Sequence, residues 1–192
     1  MTNVDLIGMP WVGPAGDPDS IEGNGVSLAD LSRRRRLGLK GWAALTWLEG
    51  KVQHIPENNN MARISGGVLV IRLGPTEAIL LAMGGAGGAL LGDLGSMHDG
   101  EKPEGCYIVP RQDMSVWFRF SGKMVPTRMA ELCAVDLRPA RFKNGSVAQT
   151  SVAHQNTIVI RDDRDEVYGF DLLTDYTSGE YLWKVLVAKA EG

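Results

Sequence analysis

The second half of this chain repeats the order of features found in the first half. In each half an Asp-x-Ser sequence, at residues 30–32 and again at 113–115, leads through a strand-like run and a glycine into a helical stretch. Two apolar strands and a closing helix then follow in both halves. A repeat of this kind restricts the fold strongly, because both halves must form the same unit and bury similar apolar faces.

The repeat predicts the same elements twice. In the first half these are a strand ending at Gly41, a helix over residues 42–49, strands over 68–73 and 78–83, and a helix over 88–97; in the second they are a strand over 116–120, a helix ending at Ala134, strands over 157–160 and 170–174, and a helix over 177–190. This is the ferredoxin-like order with one short strand missing, which we place at residues 62–65 and 147–152. The predicted fold class is α+β, with two antiparallel sheets that carry helices on one face.

Helical spacing supports the two helices of the second half. The side chains of Val125, Met129, Leu132 and Cys133 form one apolar stripe. At the last helix, a hydroxyl and a carboxylate three residues apart predict a capping box, formed by Thr177 and Glu180.

Residues 1–25 are rich in Gly, Pro and Asp and show no period. We expect them to form a flexible or partner-binding arm, and residues 26–192 to form a single domain of two halves, at about 26–100 and 111–192. Trp11 lies in this arm, away from any predicted core. A large aromatic side chain in such a place is typical of an interface anchor, with a cap over the chain's own surface as the alternative.

The one strongly basic run consists of Arg33, Arg34, Arg35 and Arg36. On a predicted strand these side chains alternate between two faces, which argues against a continuous phosphate-binding stripe. Two interpretations remain: a solvated edge strand that charge protects from aggregation, and a surface that pairs with an acidic partner subunit. Together with Trp11, the four arginines are the predicted partner interface.

The net charge and the two cysteines argue against several classes of function. A net charge of −3 argues against a general binder of nucleic acid or of an anionic membrane, since such partners require a basic surplus. Cys106 and Cys133 have no regular spacing, so neither a disulfide framework nor a zinc site is indicated. The sequence shows no signal peptide and no membrane-spanning run. We therefore expect a cytoplasmic protein.

The glycine cluster at residues 84–88 is the most tempting ligand motif. It follows an apolar strand, as phosphate-binding loops do, but the third glycine of a dinucleotide fingerprint is replaced by Leu90. The interpretations are a weak anion site and a flexible connector between the halves.

Other polar clusters also give weak signals. The carboxylates at Asp162, Asp163, Asp165 and Glu166 lack the glycine and terminal Glu of a calcium loop and predict a polar hairpin turn. The three histidines are far apart in sequence, and no GxSxG nucleophile motif is present. The sequence thus predicts no catalytic residue and no metal site, and it identifies no cofactor-binding residue.

Three segments of the second half resemble a known family: residues 132–142 (LCAVDLRPARF), 145–150 (GSVAQT) and 180–183 (EYLW). They are similar to the Leu-Cys-x-x-Asp-Leu-x-Pro stretch, the Gly-x-x-x-x-Thr sequence and the closing helix of the γ subunits of heterotetrameric sarcosine oxidases. In the first half, residues 29–32 and Gly41 resemble the start of the folate-binding domain of the glycine-cleavage aminomethyltransferase, a distant relative of that subunit.

The resemblance implies an aminomethyltransferase-type fold of two pseudo-repeated halves. It also implies larger α and β flavoprotein subunits as partners, carrying FAD, FMN, NAD and tetrahydrofolate, and a chain that itself binds no cofactor. The implied function is that of a non-catalytic γ-type subunit in a complex that oxidatively demethylates a secondary N-methyl amine, as in sarcosine catabolism.

The alternative is a free-standing tetrahydrofolate-dependent C1-transfer or repair protein. The related enzyme uses a carboxylate near a glycine-rich strand end. Its nearest counterpart here, residues 161–163, stands in a charged hairpin without an adjoining glycine. The catalytic role is therefore not transferred.

Overall fold

The computed structural model describes residues 20–192. Trp11 and the remainder of the predicted arm up to residue 19 lie outside the described residues. The described chain divides into two compact units, one formed by residues up to 32, 114–142 and 149–192, the other by residues 33–113 and 143–148. They are called unit 1 and unit 2.

Unit 1 is built on a six-stranded sheet. In spatial order the strands are β1 (Ser20–Gly23), β2 (Val26–Asp30), β8 (Ser115–Ser121), β11 (Gly169–Asp175), β10 (Gln155–Arg161) and β9 (Val147–Val152). Strand β1 pairs antiparallel with β2, so part of the predicted arm belongs to the sheet instead. The short strand that we placed at residues 147–152 is confirmed as β9.

Two helices belong to unit 1, α3 (Val125–Ala130) and α4 (Gly179–Glu191). On α4, Leu182 and Leu186 are fully buried, and Trp183 packs against Phe118 of β8 with ring centroids 5.2 Å apart. Alternation along β8 points Phe118 and Trp117 to opposite faces of the sheet. The helix therefore covers one face, while Trp117 lies on the other.

Two predictions about these helices were wrong. Helix α3 ends at Ala130 rather than at Ala134. Cys133 is buried as the apolar stripe requires, but it lies in the turn after the helix. The capping box at Thr177 does not form, because Thr177 lies in a 3₁₀ turn, Tyr176–Ser178, and the helix begins after it.

Unit 2 is built on a five-stranded sheet. In spatial order the strands are β4 (Met61–Ser65), β5 (Val68–Gly74), β6 (Glu77–Ala82), β3 (Arg36–Lys40) and β7 (Tyr107–Pro110). The strand predicted at residues 62–65 is confirmed as β4. Helices α1 (Ala44–Glu49) and α2 (Gly85–Gly95) pack on this sheet through a shared apolar core that includes Leu48, Leu80 and Leu91.

Among residues 20–192, no helix has the length and hydropathy needed to cross a membrane.

The glycine cluster at residues 84–88 is the start of helix α2 and not a flexible connector. Gly87 is buried at the point where this helix crosses the turn between β4 and β5. A side chain at position 87 would overlap the carbonyl oxygen of Gly67, whereas position 88 faces open space. The cluster thus includes a position where close packing of two backbone segments requires glycine.

Replacing each of these two glycines with alanine tests this packing. Gly88→Ala should stabilise the fold by about 0.5–1 kcal/mol, because alanine has the higher helix propensity. Gly87→Ala should destabilise it by about 1–3 kcal/mol, because the methyl group forces the backbone segments apart. Urea unfolding measures both free energies of unfolding, and equal stabilisation by the two substitutions would contradict the close approach.

Candidate functional site

The arginine run does not form an edge strand. Arg33, Arg34 and Arg35 lie in a turn, and only Arg36 belongs to β3. That strand is flanked by β6 on one side and by β7 on the other, so it lies inside the sheet. The prediction of an edge strand was wrong because β7, a short strand of mixed character, was not recognised in the sequence.

Arg36 is the structural member of the run. Its side chain is only 3% exposed, and its guanidinium donates hydrogen bonds to the carbonyl oxygens of Arg34, at 3.0 Å, and Gln112, at 2.8 Å. The Gln112 side chain in turn accepts a hydrogen bond from the Arg36 backbone N–H at 3.2 Å and donates one to the Arg34 carbonyl oxygen at 3.3 Å. These bonds fix the turn that carries the exposed Arg33 and Arg35.

The fixed turn forms one wall of a groove of about 610 Å³ within unit 2. We call it the arginine groove. Its lining residues are Arg33, Arg35, Arg36, Leu37, Leu91, Gly92, Gly95, Ser96, Ile108, Pro110, Arg111 and Gln112. The sequence prediction brought three of its four arginines together but missed Arg111, which lies far along the chain and reaches the groove through the pairing of β7 with β3.

Exposed aromatic residues also occur in unit 2. Trp117 is fully buried in unit 1, whereas Trp42 in unit 2 is 74% exposed. Its indole lies directly over Gly105, where a side chain would overlap it. The nearby Tyr107 is also exposed. Core packing therefore does not explain Trp42.

The acidic segment of unit 1 is a hairpin turn, as predicted, because β10 and β11 pair on either side of it. Two of its residues, however, enter a buried charge cluster. The Arg164 guanidinium donates to Asp162 at 2.5 Å and to Asp171 at 2.7 Å. Arg119, directly opposite Asp171 on β8, lies 3.2 Å from the same carboxylate.

Asp171 is at the centre of this cluster. It is fully buried, and its other oxygen accepts a hydrogen bond of 2.7 Å from the indole N–H of Trp117. Burial raises the pKa of Asp171, while Arg164 and Arg119 act in the opposite direction. A buried carboxylate with fixed donors on both oxygens positions the strands around it.

The segment at residues 132–142 is anchored to the same hairpin. Arg161 donates hydrogen bonds to the carbonyl oxygens of Phe142, at 2.5 Å, and Pro139, at 3.4 Å, and its guanidinium lies 4.1 Å from the ring centroid of Tyr168. The Tyr168 hydroxyl donates to the Leu137 carbonyl oxygen at 2.6 Å. Arg161 and Tyr168 therefore hold in place the loop at residues 132–142, which is one of the segments that carry the family resemblance.

The three histidines are divided between the two units. His54 and His98 belong to unit 2, and His154 belongs to unit 1. Within residues 20–192, no three His, Cys, Asp or Glu side chains are arranged to hold a metal ion. Cys106 and Cys133 are buried free thiols.

Comparison with known proteins identifies the fold. The sequence matches no protein-family model and no curated protein. A chain of the heterotetrameric sarcosine oxidase from Corynebacterium sp. U-96, solved in complex with pyrrole 2-carboxylate, is similar with a TM-score of 0.69 and 20% identity; the match covers 88% of this chain and 87% of that one.

The glycine cleavage system aminomethyltransferase T from Bartonella henselae is similar with a TM-score of 0.68 and 15% identity. This match covers 86% of the present chain but only 46% of the other. The expected resemblance to both proteins and the predicted α+β fold of the aminomethyltransferase type are thus confirmed.

Removing the charge of Asp171 should destabilise unit 1. In Asp171→Asn the guanidinium groups of Arg119 and Arg164 lose the carboxylate that they share. The free energy of unfolding should therefore fall by about 3–5 kcal/mol. The matched control is Asp165→Asn in the exposed turn, which should change the free energy of unfolding by less than about 0.5 kcal/mol. Similar urea midpoints for both variants would contradict the role of the buried cluster.

The anchored loop also offers a pKa test. The side-chain hydrogen bond from Arg138, at 2.6 Å, lowers the pKa of Asp136 to about 2. In Arg138→Ala we expect this pKa to rise towards about 3.9, while Arg141→Ala should shift it less. NMR titration of the carboxyl carbon measures it.

Because the folded-state pKa of Asp136 is depressed, its contribution to stability is present above about 3.9 and is lost as the pH falls to the folded value. An ordinary Asp136 pKa in the unmodified protein would show that the exposed pair does not persist in solution.

Proposed function

We propose that this chain is a non-catalytic γ-type subunit of a sarcosine oxidase-like complex that oxidatively demethylates a secondary N-methyl amine. The strongest support is the share of each protein's length that the structural matches cover. The match covers 87% of one chain of a heterotetrameric oxidase, but only 46% of the aminomethyltransferase T chain. The similar extent of this chain and a chain of a heterotetrameric assembly favours a role as a subunit of such an assembly.

The charge cluster of unit 1 supports a structural role. Asp162 and Asp163 stand in the segment whose sequence is the nearest counterpart of the related enzyme's catalytic carboxylate. Asp162 is bound to Arg164, and Asp163 is bound to Arg161 at 2.6 Å. Both carboxylates are thus engaged in ion pairs within the hairpin, as expected of groups that stabilise the fold.

Under this proposal the partners are larger α and β flavoprotein subunits in the cytoplasm, with neither nucleic acid nor a membrane as partner. The FAD, FMN, NAD and tetrahydrofolate of the reaction would be bound by those subunits. The partner interface would include Trp11 with the run from Arg33 to Arg36, in which Arg33 and Arg35 are exposed and Arg36 holds the turn.

A second candidate is a free-standing tetrahydrofolate-dependent C1-transfer or repair protein. The likeness to aminomethyltransferase T favours it, because that fold match is nearly as close as the first. The two candidates differ in one property of the isolated chain, namely whether it binds folate.

Thermal unfolding with and without tetrahydrofolate separates them. A ligand that binds only the native state raises the melting temperature, by an amount that grows with the ratio of ligand concentration to Kd. We expect an unchanged melting temperature and no turnover of sarcosine by the chain alone. A saturable rise in melting temperature with tetrahydrofolate would contradict the subunit proposal and favour the second candidate.

A further inference from the structure

The arginine groove combines positive charge with apolar surface. Its lining contains four arginines and no acidic residue, although the whole chain has a net charge of −3. The lining also includes the apolar side chains of Leu37, Leu91 and Ile108. The groove is thus suited to an occupant that carries both negative charge and apolar surface.

We propose that the arginine groove binds an extended segment of a partner subunit in which acidic and apolar side chains alternate. The proposal rests on the proposed function for the identity of the partner. An extended chain directs successive side chains to opposite sides, so acidic residues can face the exposed Arg33 and Arg35 while apolar residues face the floor. Binding of a peptide in extended conformation, with alternate side chains held by the protein surface, is a common mode of peptide recognition.

Two glycines place the guanidinium groups along the groove. The position where a side chain would begin at Gly92 on helix α2 is 3.1 Å from an Nη atom of Arg35. The corresponding position at Gly38 on β3 is 2.9 Å from Nε of Arg111, whose Nη2 is held by Glu77 at 3.1 Å. Larger residues at either glycine would displace an arginine.

The apolar floor is continuous with the core of unit 2. Leu37 and Leu91 are buried members of the core, and Ile108 packs against it. A floor anchored in this way is rigid, so an incoming apolar side chain meets a preformed surface and less conformational entropy is lost on binding. The volume of about 610 Å³ lies within the range of binding pockets.

Nucleic acid fits the groove less well. A single strand requires a track of basic groups together with aromatic side chains on which its bases stack. The groove lining contains no aromatic residue, and its floor is aliphatic. A protein segment can therefore match both the positive charge and the aliphatic floor of the groove, whereas a nucleic acid matches only the charge.

The test measures binding of a fluorescein-labelled peptide of alternating Glu and Leu to the full-length chain by fluorescence anisotropy. Arg35→Ala should weaken binding about tenfold, since one charge-assisted hydrogen bond is lost. Gly92→Ala should weaken it several-fold by displacing Arg35, whereas Gly88→Ala on the same helix should leave it unchanged. Peptides with Gln in place of Glu, or Ala in place of Leu, should each bind more weakly.

Several results would overturn the proposal. These are equal binding by Arg35→Ala and the unmodified chain, equal binding of the Ala-substituted peptide, and complete displacement of the peptide by equimolar inorganic phosphate, which would indicate a small-anion site. Tighter binding of a single-stranded RNA oligonucleotide of similar charge would replace the proposed partner with nucleic acid.

A second measurement separates this proposal from the proposed function. The tagged chain and its Arg35→Ala variant are purified from the native cell, and flavin is measured in each eluate. Flavoproteins that accompany both chains equally would overturn the groove proposal and leave the subunit role intact. Peptide binding by the groove, with no flavoprotein in either eluate, would contradict the subunit role alone.

Discussion

Asp171 is a fully buried carboxylate that receives hydrogen bonds from an indole and from two guanidinium groups. Burying one ionised carboxylate is costly unless its charge is matched and its oxygens are bonded. Trp117 and Arg119 of β8 and Arg164 of the hairpin meet these needs together. The cluster therefore fixes the pairing of β8 with β11 and the conformation of the turn after β10.

The hairpin fixed in this way holds the loop at residues 132–142. Arg161, on the strand before the turn, binds two carbonyl oxygens of that loop, and Tyr168, on the far side, binds a third. In unit 2, glycine has the corresponding role. Gly41 and Gly105 have positive φ and approach so closely that a side chain at position 41 would overlap the Gly105 carbonyl oxygen. Close backbone contacts and buried charge thus order the two units by different means.

The repeat was sufficient to predict most strands, because buried strands such as β5, β6, β10 and β11 are apolar runs ended by turn residues. It could not predict β7, which is short and ends in Pro110, and this caused the wrong interpretation of the arginine run. The environments of Arg111 and Asp171 depend on contacts between residues distant in sequence; Trp117 and Asp171, for instance, are 54 positions apart. Local sequence patterns do not reveal such contacts. The acidic turn was therefore predicted, but its contacts with Arg119 and the buried Asp171 were not.

The proposed subunit role rests on the shared fold, on the ion pairs of the hairpin carboxylates and on the arginine groove. The most direct test is affinity purification of the full-length chain from its native cell, with identification of co-purifying proteins by mass spectrometry and an absorption spectrum of the eluate. The account predicts larger companions in fixed stoichiometry with a flavin spectrum. A chain that elutes alone and colourless under conditions that preserve complexes would contradict it.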